Sequence, residues 1–165
     1  MSNIIPRNYQ CASLSLSDCL PSLRSYLFAN LLGSRLCIEE SIRYASDRIV
    51  FGKRLLDSQV IRHKLADMAM RVNALQAMID VVAFQMQNGV PNERIGGTMA
   101  LLKVQASKTF EICAREASQI FGGSSYVREG KGSMIERMYR EVRGSAIPGG
   151  SEEILMDLAM RQAKL

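Results

Sequence analysis

The order and spacing of Ile61, Leu65, Met68, Val72, Leu75, Ile79, Val82 and Met86 constrain this chain more than any other feature, because they alternate steps of four and three without a miss. That spacing averages about 3.5 residues per turn, so a single apolar stripe stays aimed at a neighbour. It predicts a helix from about Asp57 to Gln87, roughly 45 Å long, which Asn88-Gly89 and Pro91 then stop. A stripe that long is buried only by partners of similar length, and the sequence supplies two. Pro21 and Ser22 open a helix running to about Asp47, with Leu27, Leu31, Ile38, Ile42 and Ala45 on one side. Asn92 to Phe121 places Ile95, Met99, Leu102, Ala106, Phe110, Cys113, Ala117 and Ile120 on one face, and Gly122-Gly123 ends it. Shorter helices follow near Met134–Arg143 and from about Ser151 to Gln162. No segment alternates with period 2 for long enough to be a strand, and there is no internal repeat. The expected fold is all-α: three long antiparallel helices and a short one or two, arranged like a four-helix bundle. Residues 1–20, Ser-rich and aperiodic, read as a flexible arm before a bundle at 21–165. Because the two long stripes exceed what one partner helix covers, a homo-oligomer, dimer or tetramer, is also expected.

Composition narrows the function classes. Hydrophobic residues make up 47% and charged residues 22%, while aromatics are 6% with 10 Met and no Trp. Such a core is aliphatic and adaptable. The net charge of +5 suits a phosphate-rich ligand. It does not form a nucleic-acid surface, since Arg128, Lys131, Arg137, Arg140 and Arg143 are interrupted by Glu129, Glu136 and Glu141. Cys11, Cys19, Cys37 and Cys113 lack metal-ligand spacing, and with His63 the single histidine, no metal site is expected. They read as free thiols in a reducing compartment. No apolar run reaches membrane-spanning length, and no secretory pattern is visible. Ala163-Lys164-Leu165 is similar to the Ser-Lys-Leu peroxisomal address; the setting is otherwise cytoplasmic.

Three short segments stand out against the helices. Ala45-Ser-Asp-Arg-Ile-Val-Phe-Gly52 follows the first, Gln119-Ile-Phe-Gly-Gly123 closes the third, and Ile147-Pro-Gly-Gly-Ser-Glu-Glu-Ile154 opens the last. Each has a plain local explanation. Arg48 offsets a helix dipole and Gly52 caps the helix; Gly122-Gly123 is a glycine stop; Ser151 is an N-cap, with Glu152 and Glu153 at the positive helix end.

In this order, joined by two long helical patterns, the segments resemble the C-terminal helical domain of the acyl-CoA dehydrogenases, FAD-dependent enzymes that desaturate acyl-CoA at the α,β position. The resemblance runs from about Leu31 to Leu165. It implies that Arg48 and Phe51 touch the FAD of a neighbouring subunit, the arginine as a forked cation for the pyrophosphate and the phenylalanine as a flat face for the adenine end. It implies that Gln59 lies near the same cofactor half. Gln119, Gly122 and Gly123 would let backbone approach the cofactor closely. Ser124-Ser125 departs from the family where a glycine usually falls. Ser151 and Glu153 would lie by the flavin ring.

The resemblance also exposes a gap. The reaction removes an α-proton as a hydride leaves the β-carbon, and it needs a carboxylate base in a dry site. Most relatives keep that Glu where this chain has Gly149, and a minority keep it where this chain has Ser22. Asp18 is the nearest upstream carboxylate. The family's enzymes also carry an N-terminal helical domain and a β-domain ahead of this bundle, whereas here Met1 precedes it by only about 20 residues. The expectation is therefore an acyl-CoA dehydrogenase-like oxidoreductase domain, inactive as this chain alone. The alternative is a non-catalytic helical dimerisation module, or inactive paralogue, pairing with full-length relatives.

Overall fold

A computed structural model describes residues 21–163, with side chains from Ser25 onward. The order is α1 (Pro21–Asp47), β1 (Ile49–Val50), β2 (Lys53–Arg54), a 3₁₀ turn (Leu55–Asp57), α2 (Gln59–Gln87), α3 (Asn92–Phe121), a second 3₁₀ turn (Gly122–Ser125), α4 (Ser133–Ala146) and α5 (Glu152–Gln162). The fold is all-α, as the periodicity requires, apart from one small hairpin between α1 and α2 that no periodicity announces. Asp18, Lys164 and Leu165 lie outside the described residues, as does the 1–20 arm.

Leu65, Met68, Val72, Leu75, Ile79 and Val82 of the long stripe are buried, and Ile61 and Met86 pack against them. The partners are α1 and α3 of the same chain, so the stripe is consumed internally and is no argument for a second copy. Tight chain reversal keeps α1, α2 and α3 antiparallel. Asn88 donates from Nδ2 to the Phe84 carbonyl at 2.8 Å, and Gly89 takes the left-handed φ of +71° that ends α2. At Gly33 an added methyl would lie 2.6 Å from the Phe110 ring, so glycine sets how closely α1 approaches α3.

Helix α3 is the hub. One face carries the main core, and the other buries Ala100 and Val104 against Leu155 and Ala159 of α5. Helices α4 and α5 run in series along it, opposite in direction. Arg143 pairs with Glu111 at 2.9 Å, Ser107 donates to Glu152 at 2.7 Å, and Gln162 lies over Gly96. Helix α4 exceeds its expected span and runs through Gly144 to Ala146, because Val142 and Ala146 are buried; packing outweighs the glycine's cost of about 1 kcal/mol.

Cys37 and Cys113 are buried and unbridged. Burial pushes both thiols up to about 12 from 9.0. An acid whose folded value is raised contributes stability that is intact below the unfolded value and lost as pH climbs through the folded one. A chain carrying Cys11→Ser and Cys19→Ser should therefore not react with a thiol reagent at pH 8 until denaturant unfolds it. Its unfolding free energy should decline from about pH 9 toward pH 12. Fast labelling of the native chain would contradict this burial.

Candidate functional site

The segment after α1 is built by one turn. Ile49 pairs with Arg54 and Val50 with Lys53, leaving Phe51 and Gly52 as a two-residue loop. Their φ values are +50° and +76°, the pattern of a type I′ turn, which suits the right-handed twist of a hairpin. Gly52 is thus a turn residue and does not cap α1, contrary to its plain reading. Glycine fits its position, but Phe51 does not: an L-residue in the left-handed region costs about 1–2 kcal/mol. Phe51 is fully exposed at 101%, so its ring gains no packing in return. Arg48 is exposed beside it and enters no ion pair among the described residues, whereas Arg54 is held by Asp57 at 3.0 Å.

Tyr44 joins this segment to the end of α3. Its ring stacks on Phe121 at 4.2 Å between centroids, and its hydroxyl donates to the Phe121 carbonyl at 3.4 Å. Gln119 is exposed in the last turn of α3. Gly122 caps the helix with φ +58° and ψ −139°, a conformation reserved for glycine. Gly123 has no such need, because a Cβ there would meet nothing within 4 Å. The Ser124-Ser125 departure is satisfied locally: the buried Ser125 hydroxyl reaches the Ser118 and Gly122 carbonyls, each at 2.9 Å. Gln59, the exposed first residue of α2, stands at this same end. Arg48, Phe51, Gln59, Gln119, Gly122 and Gly123 therefore share one end of the bundle.

Gly149, Ser151 and Glu153 lie elsewhere. Ser107 fixes Glu152, and Ser107 to Phe121 is about 21 Å along α3. Gly149 and Gly150 have φ of +75° and +111°. Ser151 occupies the N-cap position without a side-chain cap bond. Instead Glu153 folds back: its own backbone N–H, then the Ser151 hydroxyl, hold its carboxyl below the usual carboxylate range. Ser22 sits in the first turn of α1, with its side chain outside the described residues.

Lys103 is the residue that sequence reasoning missed. It lies on the α3 face turned away from the main stripe and is fully buried. Its Nζ donates to the Ala146 and Gly150 carbonyls, the latter at 2.8 Å, and so holds both ends of the Ile147–Gly150 loop. Burial pushes it below the ordinary lysine value, and the Glu152 charge partly opposes that. Only its place among apolar neighbours in the helix could have signalled it. Among the described residues no His/Cys/Asp/Glu group could hold a metal, and no helix is long and apolar enough to cross a membrane.

The sequence signature described as "Acyl-CoA dehydrogenase, C-terminal domain" matches residues 18–164. The chain belongs to the acyl-CoA dehydrogenase family. It is similar to acyl-CoA dehydrogenase AFT10-1 of Alternaria alternata, 40% identical over 145 residues, covering 84% of this chain and 34% of that protein. It is also similar to the caffeyl-CoA reductase-Etf complex subunit CarC of Acetobacterium woodii, 36% identical, covering 71% and 29%. Among solved structures, butyryl-CoA dehydrogenase from Megasphaera elsdenii superposes with a TM-score of 0.78 at 26% identity, covering 87% of this chain and 36% of that one. The chain thus spans about a third of the length of the curated relatives it matches. As an acyl-CoA dehydrogenase C-terminal domain it comes from a family of FAD-dependent oxidoreductases.

The hairpin yields a direct test. Asn tolerates the left-handed region and Asn-Gly favours the I′ turn. Phe51→Asn should raise thermal stability, by up to about 1 kcal/mol. A drop in melting temperature would contradict the strain assigned to Phe51.

Proposed function

We propose that this domain serves a flavoprotein that oxidises or reduces the α,β bond of an acyl-CoA thioester. The observation that carries the proposal is the strained, fully exposed Phe51 ring, set beside Arg48 at the same end of the bundle as the open Gly123 backbone. Strain that no internal contact offsets marks a ligand surface. In this reading Arg48, Phe51, Gln59, Gln119, Gly122 and Gly123 hold the pyrophosphate and adenine half of an FAD belonging to a neighbouring subunit. Gly149, Ser151 and Glu153, some 20 Å along α3, border the flavin ring of another. The cofactor, when bound, accepts hydride from the β-carbon. This chain's own part is to bind, orient and exclude water.

The base is not supplied at Gly149 or Ser22, which favours the second reading: an inactive domain that pairs with full-length relatives and completes their cofactor sites. Asp18 remains the one upstream carboxylate near enough in sequence to mutate first. An acyl-CoA substrate and an electron-transfer partner belong to the complete assembly in either case.

Flavin binding and turnover test both readings. The purified chain with added FAD should not desaturate acyl-CoA, and Gly149→Glu alone should not rescue it, since loss of a base costs about 10²–10⁴-fold and the φ of +75° resists any side chain there. Where flavin is retained, with or without a full-length relative, Arg48→Ala should weaken it about tenfold or more, as expected for a charge-assisted hydrogen bond. Enoyl-CoA formed by the chain alone, or unchanged flavin affinity in Arg48→Ala, would count against this assignment.

We also propose a peroxisomal address in Ala163-Lys164-Leu165, by its similarity to Ser-Lys-Leu. A fluorescent reporter ending in the last dozen residues should become punctate in a eukaryotic cell, and Leu165→Asp should make it diffuse. A diffuse signal with the native tail would sink the idea.

A further inference from the structure

One turn of α3 governs the whole junction between α4 and α5. Lys103 and Ser107 stand four residues apart, so they project from the same side of the helix. Both are fully buried. The Lys103 ammonium donates to the carbonyls of Ala146 and Gly150, the latter at 2.8 Å, and the Ser107 hydroxyl donates to the Glu152 carboxylate at 2.7 Å. The chain is therefore anchored at positions 146, 150 and 152 to a single turn.

The backbone between these anchors has little else to fix it. Among the described residues, no backbone–backbone hydrogen bond ties Pro148, Gly149 or Gly150 to another element. Ile147 bonds back only to Arg143 of α4, and its side chain is 63% exposed. Gly149 and Gly150 hold φ of +75° and +111°, yet glycine visits positive and negative φ about equally, so the local sequence does not select this conformation. A charged donor selects it well, because its hydrogen bonds are about twice as strong as neutral ones. The selection is also one-sided. A loop that swung away would strand a buried cation without acceptors. The aliphatic stem of Lys103 fills space like any core side chain, but only its ammonium distinguishes one loop conformation from another.

We propose that Lys103 is a positioning residue for the site at Gly149 and Ser151, fixing the backbone that borders the flavin ring in the reading above. It acts through the Ala146 and Gly150 carbonyls, from beneath the loop. Ser107 acts alongside it through Glu152, which sets the first turn of α5. The inference rests on the reading that this loop faces a flavin; the hold of Lys103 on the loop does not.

Nuclear magnetic resonance of the isotope-labelled chain tests that hold directly. In the native chain the amides of Gly149, Gly150 and Ser151 should be nearly as ordered as those of α2, with order parameters of about 0.8. Lys103→Met keeps an unbranched stem and removes the charge. It should lower the loop values below about 0.6 and leave α2 unchanged. Loop amides that stay ordered in Lys103→Met overturn the proposal, and so does an equal loss of order along α2, the mark of a purely structural role. If Lys103→Met does not fold, the native ammonium decides. Its Nζ–H protons should exchange slowly enough to give a resolved signal, and exchange as fast as that of exposed lysines overturns the proposal. Flavin supplies the functional arm. In assemblies that retain it, with or without a full-length relative, Lys103→Met should shift the flavin absorbance band and reduction potential. The amount bound should stay within about twofold, because the Arg48 end is distant and independent. A released loop beside an unchanged flavin spectrum overturns the positioning role. Absence of flavin from every assembly instead counts against the flavin reading, while the order parameters still decide what Lys103 holds.

Discussion

Every surface this domain offers is placed by the burial of α3. A helix of 30 residues that packs on α1, α2, α4 and α5 keeps only one narrow seam exposed, through Thr98, Leu101, Lys108, Arg115 and Gln119. It therefore acts as a ruler. The Tyr44–Phe121 stack sets one end of the ruler, and the buried Lys103 sets a mark partway along it. Pro148, Gly149 and Gly150 break the chain between α4 and α5, and the Lys103 ammonium pins that break by taking a carbonyl from each side of it. A buried cation without hydrogen-bond acceptors would be costly; two backbone carbonyls satisfy it and convert its position into that of the loop. In the proposed reading the cofactor half-sites lie about 20 Å apart along this ruler, so one domain would address two cofactor molecules more easily than it would surround one.

Backbone conformation adds a second constraint, and it bears on catalysis. Gly149 sits at φ +75°, where a carboxylate-bearing residue would have to accept a left-handed conformation at about 1–2 kcal/mol. The next residue is no freer, since a Cβ on Gly150 would lie 2.9 Å from Leu155. The loop is thus shaped around glycine on both counts, and its charge comes from Glu152 and Glu153, which belong to the α5 terminus. In Phe51 the same kind of strain carries a ring instead of removing a side chain. One site keeps an unfavourable conformation to present a surface, whereas the other uses glycine to take that conformation without a side chain.

Much of this was legible because helical periodicity is a local signal. The Leu65–Val82 stripe, the Ile95–Ile120 face and the limits of α3 at Asn92 and Phe121 follow from spacing plus Gly and Pro stops, and each lies where the spacing puts it. The misses are features that local pattern does not encode. Ile49–Val50 and Lys53–Arg54 are too short for alternation to register. Continuation of α4 through Gly144 depends on what Val142 and Ala146 touch. Lys103 in a helix reads as solvated until the 146–150 loop is folded over it. Among the candidate site residues, the sequence grouped three motifs by resemblance, but only the tertiary fold divides them, six positions at one end and Gly149, Ser151 and Glu153 farther along.

The stripes behind the oligomer expectation show how a sound pattern can be satisfied within one chain. Two regular stripes suggested more apolar surface than one chain could cover, yet both are covered from within by α1, α3 and α4. What remains uncovered on α2 is the weaker pattern, diluted by Ala74, Ala77 and the neighbouring Asp80, which a scan for the strongest stripe passes over. Core stripes select large residues because they fill volume between helices at 8–10 Å spacing. The outer face of α2 fills no such volume, and with Ala74 and Ala77 between the larger Met70, Val81 and Phe84 its residue sizes set it apart from the stripe that closes the fold.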